Sequence, residues 1–181
     1  MDNIRVIKLR LPLDHAQISL LQAGDAVTLT GTMLVGRDQV HQRLWQLLSK
    51  QLPLPVPIKG ETIFYMSPSP APSGMPVGSC GPTTSARMDP FTPALMDAGL
   101  LCSVGKGPRS QQVVDAIAKH GGLYLYTFGG CGALYAKSVK SLTCTAFEDL
   151  GPEALFKIEV ESFPAIVAID AHGCGIYEPS M

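Results

Sequence analysis

The sequence predicts an α/β fold in a single domain spanning residues 1–181, and three observations carry that expectation. Stretches rich in β-branched residues alternate with stretches of helical periodicity, the pattern of strands and helices packed in layers. Two strand-like stretches come early, with a turn leading from one to the other, so the sheet is expected to be mixed and not wholly parallel. The 181 residues are enough for one large core, and no fixed-period repeat or low-complexity segment divides them.

Taken in order, residues 4–11 alternate apolar and polar positions and read as a half-buried strand. Residues 20–25 form a turn feeding a second strand, 26–34, rich in valine, threonine and leucine. Gly36, Arg37 and Asp38 interrupt that run. Val40, Leu44, Leu47 and Leu48 then recur at helical spacing, with Asp38 as the expected N-cap and the helix ending near Lys50, ahead of Pro53, Pro55 and Pro57. A short strand is expected at 62–66, and the Pro-, Ser- and Gly-rich stretch 67–81 is a loop. Asp89 and Pro90 suit the N-cap and first position of a helix running to Ala98 and stopped by Gly99. A strand follows at 100–104, then a turn at 105–107, then a helix capped by Ser110 that ends at His120, Gly121 and Gly122. Residues 123–128 read as a buried strand, 129–132 as a glycine turn, and the residues through Val139 as a small-residue helix. Two strands paired with each other are expected at 156–161 and 165–169, with His172 in a turn beyond them.

Composition narrows the function classes. Apolar residues make up 46% of the chain and charged residues 16%, a low charge fraction that fits either a large core or a surface covered by a partner. The net charge of −1 and the lack of a basic stripe give no pull towards nucleic acid or an anionic membrane. Five cysteines, at 80, 102, 131, 144 and 174, are odd in number and show no C-x-x-C spacing, so the chain carries no zinc or self-contained iron–sulfur signature and no disulfide framework. The first residues lack the apolar run of a signal peptide, and no stretch is long enough to span a bilayer. The expectation is a soluble cytoplasmic protein.

Three strings carry chemistry. Residues 81–89, Gly-Pro-Thr-Thr-Ser-Ala-Arg-Met-Asp, place two hydroxyls and a guanidinium close together: Thr83, Thr84 and Arg87 suit a small dicarboxylic acid, although a capped helix start with a surface arginine has the same residues. Arg37 stands at a helix N-terminus, where free N–H groups and the helix dipole favour an anion, with Asp38 beside it and His41 one turn along the same face; a capped helix is the plain alternative. Lys106, between Gly105 and Gly107, again lies between a strand and a helix, where α/β proteins gather ligand groups. A simple basic turn accounts for it equally well, and the P-loop spacing is missing. Arg37, Arg87 and Lys106 are expected to converge on one sheet edge as a half-site for an anion with two carboxylates. His120, Cys131 and His172 read as structural.

Taken together these strings resemble class I, iron–sulfur-dependent fumarate hydratases. Gly36-Arg37-Asp38-Gln39-Val40-His41, the 81–89 string, Gly105-Lys106-Gly107 and His120-Gly121-Gly122 occur in the order and spacing of that family's C-terminal domain or separate β subunit, and the run 147–154 and residues 159–173 fit as well. The resemblance implies a three-layer β/β/α swivelling domain docked on an α subunit. It implies a [4Fe–4S] cluster held by three cysteines of that subunit, not by this chain, with one iron open to substrate. It further implies Thr83 as catalytic base, Arg37, Thr84, Arg87 and Lys106 as substrate binders, Asp38 as their support, and an α2β2 assembly hydrating fumarate to malate. The β subunit of L(+)-tartrate dehydratase shares the Gly-Pro-Thr-Thr motif and is the alternative within the class. A non-catalytic dicarboxylate-binding module is the alternative outside it, which retention of Thr83 and all three cations disfavours.

Overall fold

A computed structural model describes residues 6–177. Seven strands form one mixed sheet, with helices against it. Strand β1 (Val6–Arg10) leads through a four-residue helix α1 (His15–Ile18) into β2 (Ala26–Val35). The expected start of β1 at Ile4 lies outside the described residues. Helix α1 was not expected, though its signal was present: Asp14 accepts the Gln17 N–H at 2.7 Å and the Gln17 side chain accepts the Asp14 N–H, a reciprocal capping box. Helix α2 (Asp38–Ser49) begins one residue earlier than expected: Arg37 holds the N-cap position with extended backbone, and Asp38 sits in the first turn, where its charge complements the helix dipole.

Strand β3 (Thr62–Phe64), a 3₁₀ turn at Ser85–Met88, helix α3 (Thr92–Asp97), β4 (Cys102–Gly105), α4 (Gln111–His120) and β5 (Leu123–Tyr126) follow. Asp89 and Pro90 do not start α3 as expected. Asp89 follows the 3₁₀ turn, and its carboxylate is drawn instead to Arg109. Ser110 holds the N-cap position of α4 without capping it through its side chain. Gly121 ends α4 in the left-handed conformation, φ 58°, as a C-terminal glycine does.

The last third departs most from expectation. Helix α5 (Gly132–Ala136) stops early, and Val139 opens an unexpected strand, β6 (Val139–Ala146). The two strands expected at 156–161 and 165–169 do not pair with each other. They are halves of one strand, β7 (Leu155–Ile169), interrupted by a bulge: Leu29 faces Phe163 but Gly31 faces Val160. Ser162 takes φ 53° there and its N–H donates to Thr30 Oγ1 at 3.0 Å. Gly31, at φ 132°, lies where a Cβ would come within 2.7 Å of the Leu11 carbonyl, so only glycine fits the opposite side of the bulge.

Strands β2, β3, β4 and β5 run parallel in that order, and β7 runs antiparallel to both β5 and β2, which closes the five into a barrel-like ring. Strands β1 and β6 extend it beside β2 and β7. The α/β class and the mixed sheet are as expected, but not for the expected reason: the two early strands, β1 and β2, run parallel, and the antiparallel strand pairings all involve β7. The core inside the ring is apolar, built on Leu29, Met33, Phe64, Val104, Leu125, Ile158 and Phe163. A second cluster under α2 and α3 joins Leu34, Val40, Leu44, Ile63 and Tyr65. Among the described residues no helix is long and apolar enough to cross a membrane.

Candidate active site

Because β2 to β5 are parallel, their carboxyl ends lie at one rim, and the loops leaving them meet there. The Gly36 N–H donates to the Phe64 carbonyl at 3.2 Å, and the Thr127 N–H to the Gly105 carbonyl at 2.7 Å. The long connection after β3 returns to this rim. Thr83 donates its N–H to the Tyr65 carbonyl at 2.7 Å, and Ser85 donates its own to the Lys106 carbonyl at 2.9 Å. Bridges Met66–Pro82 and Thr84–Lys106 fix the chain on both sides of Thr83. Gly105 permits this closeness, since a Cβ there would lie 2.1 Å from Ser85 Oγ.

Asp38 joins two of the expected cations. Its Oδ2 accepts Arg87 Nη2 at 2.9 Å and its Oδ1 lies 3.7 Å from Arg37 Nε. Arg37 Nη1 also meets Glu153 Oε1 at 3.1 Å and Ser67 Oγ at 3.3 Å. Lys106 has no carboxylate within 4.0 Å among the described residues, and its stem lies against the exposed Gly129. Thr83 is half-buried and Thr84 exposed, and among the described residues neither hydroxyl is committed to a hydrogen bond. The rim thus gathers two hydroxyls, an uncompensated ammonium and two guanidiniums braced by carboxylates, an arrangement that can receive a small anion with two acidic ends.

Beneath the rim lies a buried polar layer that sequence reasoning did not assign. Arg109 is fully buried; its Nε donates to Asp89 Oδ1 at 2.7 Å, Nη2 to Thr92 Oγ1 at 2.8 Å and Nη1 to Ser103 Oγ at 3.2 Å. Its guanidinium lies 5.3 Å from the ring centre of Tyr65 and 4.9 Å from that of Tyr124. Asp89 Oδ2 also accepts the Ser110 N–H, and the Tyr124 hydroxyl donates to the Gly107 carbonyl and accepts from the Ser85 hydroxyl, both at 2.9 Å. These bonds tie the 81–89 loop to the 105–110 loop from below. The string Gly105–Ser110 contained Arg109, but nothing in its spacing marks one arginine as buried and the lysine three residues before it as free.

His41 belongs to the same layer. A carbonyl can only accept, so Nδ1 carries the proton donated to the Arg37 carbonyl at 2.7 Å, and Nε2 is left as a buried lone pair with no partner. The ring stands edge-on to Tyr65, 5.0 Å between centres. Burial pushes the His41 pKa down from 6.5 to about 4, opposed by the Arg37 hydrogen bond and Asp38 and reinforced by the Arg109 charge. Between those values the unfolded chain binds a proton that the folded chain refuses, so stability is unaffected above about 6.5 and falls as pH drops from there towards 4. Wild type is expected to lose roughly 2–3 kcal/mol more between pH 7 and pH 4.5 than His41→Gln does. Urea unfolding of both proteins at the two pH values measures this, and parallel losses would contradict it.

The residues expected to be structural have surroundings of their own. His120 Nε2 lies 2.8 Å from Asp97 Oδ1, which Lys119 also reaches at 2.7 Å. The His172 N–H donates to Asp170 Oδ1 in a turn. Cys131 is half-buried at the start of α5.

Comparison with known proteins gives the family. The family model described as "Fumarase C-terminus" matches residues 1–180. The chain belongs to that family. This fumarase C-terminal domain is 44% identical over 165 residues to "Fumarate hydratase class I, anaerobic" of Escherichia coli K12, covering 90% of the chain and 30% of that protein. It is 41% identical over 179 residues to "Fumarate hydratase 2" of Leishmania major, covering 97% of the chain and 32% of that protein. It is 34% identical over 172 residues to "Putative L(+)-tartrate dehydratase subunit beta" of Methanocaldococcus jannaschii, covering 92% of the chain and 88% of that protein. The domain therefore spans about a third of the fumarate hydratases it matches and most of the tartrate dehydratase subunit.

Among the described residues no set of side chains fits an iron–sulfur cluster. No three His, Cys, Asp or Glu side chains are grouped to hold a metal among the described residues. Burial pushes the thiols of Cys80 and Cys102 up to about 12, against the thiolate form a ligand needs.

Proposed function

We propose that this chain is the β subunit of a two-subunit hydro-lyase that interconverts fumarate and (S)-malate, active only with an α subunit that carries a [4Fe–4S] cluster, in an α2β2 assembly in the cytoplasm. The observation that carries this reading is the single rim on which Thr83, Thr84, Arg37, Arg87 and Lys106 stand, at the carboxyl ends of adjacent parallel strands. Arg37, Arg87 and Lys106 bind the two carboxylates of the substrate, with Thr84 lending a hydroxyl and Asp38 bracing both arginines. Thr83 exchanges the proton on the carbon next to a carboxylate. A threonine hydroxyl is a poor base at its ordinary pKa, so nearby cations have to favour its alkoxide. The same cations stabilise the charge that builds on the carboxylate as the proton leaves.

L(+)-tartrate is the second reading, favoured by the match to nearly the whole length of a putative tartrate dehydratase β subunit. Co-expression with a candidate α subunit under anaerobic conditions, followed by assays on fumarate, malate, tartrate and mesaconate, tests both. Hydration of fumarate with little turnover of tartrate is the expected result. Preference for tartrate reassigns the substrate, and a complex inactive on all four acids overturns the reading.

A further inference from the structure

We infer that Glu153 is a positioning residue that aims Arg37 at the substrate, an inference that rests on the hydro-lyase reading above. Two oxygens hold Nη1 of the Arg37 guanidinium, Glu153 Oε1 at 3.1 Å and Ser67 Oγ at 3.3 Å, while Nε stands 3.7 Å from Asp38 Oδ1, close enough for charge attraction but without a hydrogen bond. Nη2 has no partner among the described residues. A planar fork held at one Nη by two oxygens presents the other Nη in a restricted direction. Arg37 also loses little additional side-chain freedom when a carboxylate binds, because that freedom is already spent.

Glu153 comes from a part of the chain with no other role in the site, the 3₁₀ segment Glu148–Glu153 that leads into β7. Its backbone is anchored by the next two residues, Ala154 and Leu155, both buried. The other end of the segment is stapled to α2, the helix that Arg37 caps: Arg43 meets Asp149 through both Nη atoms, at 2.8 and 2.5 Å, and lies over the Phe147 ring. Glu153 is thus a fixed post. A carboxylate on a mobile loop would compete with the substrate for Arg37; one built into the root of a central strand holds the guanidinium in place.

The reconstituted complex with Glu153→Gln is expected to show KM for fumarate raised roughly tenfold with kcat changed by less than about twofold, because the lost interaction acts on binding in ground and transition state alike. In an Arg37→Ala background the same substitution is expected to add nothing, since Glu153 acts through Arg37. Arg43→Ala, which loosens the segment's far end but leaves the Ala154 and Leu155 anchor beside Glu153, is expected to raise KM clearly less than Glu153→Gln does. An unchanged or lowered KM in Glu153→Gln, an additive effect in the Arg37→Ala background, or an equal rise in KM for Arg43→Ala overturns the inference. If the wild-type complex turns over none of the four acids, the functional reading falls. The positioning role is then decided by the order parameter of the Arg37 Nε–H group in the labelled chain: a drop in Glu153→Gln supports it, and no change overturns it.

Discussion

Thr83→Ala is expected to lower turnover of the proposed hydro-lyase complex by about two to four decades while leaving its fold and its association with the proposed α subunit intact. Both halves of that expectation come from the same geometry. The Thr83 backbone is fixed by its own N–H bond to the Tyr65 carbonyl and by bridges at Pro82 and Thr84, none of which involves the side chain. Its hydroxyl serves no hydrogen bond among the described residues, so its removal leaves no buried group unpaired there, and stability is expected to change by less than about 1 kcal/mol. Steady-state kinetics and size-exclusion chromatography of the co-expressed pair measure the two parts. Thr83→Ser, which restores the hydroxyl, is expected to recover a measurable part of the activity. Near-normal turnover in Thr83→Ala would remove this residue as the base.

Arg109→Ala has the opposite profile, a large loss of stability from a residue that does not face the substrate. The guanidinium is fully buried, paired with Asp89, bonded to Thr92 and Ser103 and enclosed by two tyrosine rings. Its removal strands the Asp89 carboxylate in a site where little water reaches, and breaking a buried pair in this way costs about 3–5 kcal/mol. That is a large share of the roughly 5–15 kcal/mol that holds a domain folded. Arg109→Lys keeps the charge but cannot reproduce the fork that reaches Asp89, Thr92 and Ser103 at once, so an intermediate loss is expected. Urea unfolding midpoints at pH 7 provide the measurement, and a loss in Arg109→Ala below about 1 kcal/mol would show that the pair is not structural.

The two substitutions separate what could be read along the chain from what could not. Gly36-Arg37-Asp38 and Gly105-Lys106-Gly107 were legible because each breaks a hydrophobic pattern at a strand end, and Gly81-Pro82-Thr83-Thr84 because it sets polar residues that a core does not need between a loop and a helical pattern. Arg109 and Tyr124 gave no such signal, and Asp89 and His41, although they lie within the 81–89 and 36–41 strings, gave no sign of being buried. Asp89 followed by Pro90 satisfies the local rules for a helix cap, and only the arrival of Arg109, twenty residues later, draws its carboxylate inward. Strand β7 shows the same limit. Ser162 and Pro164 lower strand propensity locally and suggest a turn, yet β2 runs alongside the whole segment and absorbs the irregularity as a bulge. Strand β6 was hidden by the small residues before it, and its pairing with β7 decides it.

The sequence by itself determined that this is an α/β domain, which strings carry hydroxyls and cations of the kind a dicarboxylate would need, and that its cysteines show no C-x-x-C spacing. Those properties follow from periodicity and residue chemistry, which are local. Tertiary structure alone decided that the three basic strings share one rim, that one carboxylate, Asp38, braces two arginines, and that Glu153 reaches Arg37 from the root of β7. Those depend on which strands pair. The closure of β2 against β7 brings residues more than a hundred positions apart into contact, and no local pattern encodes that partner choice.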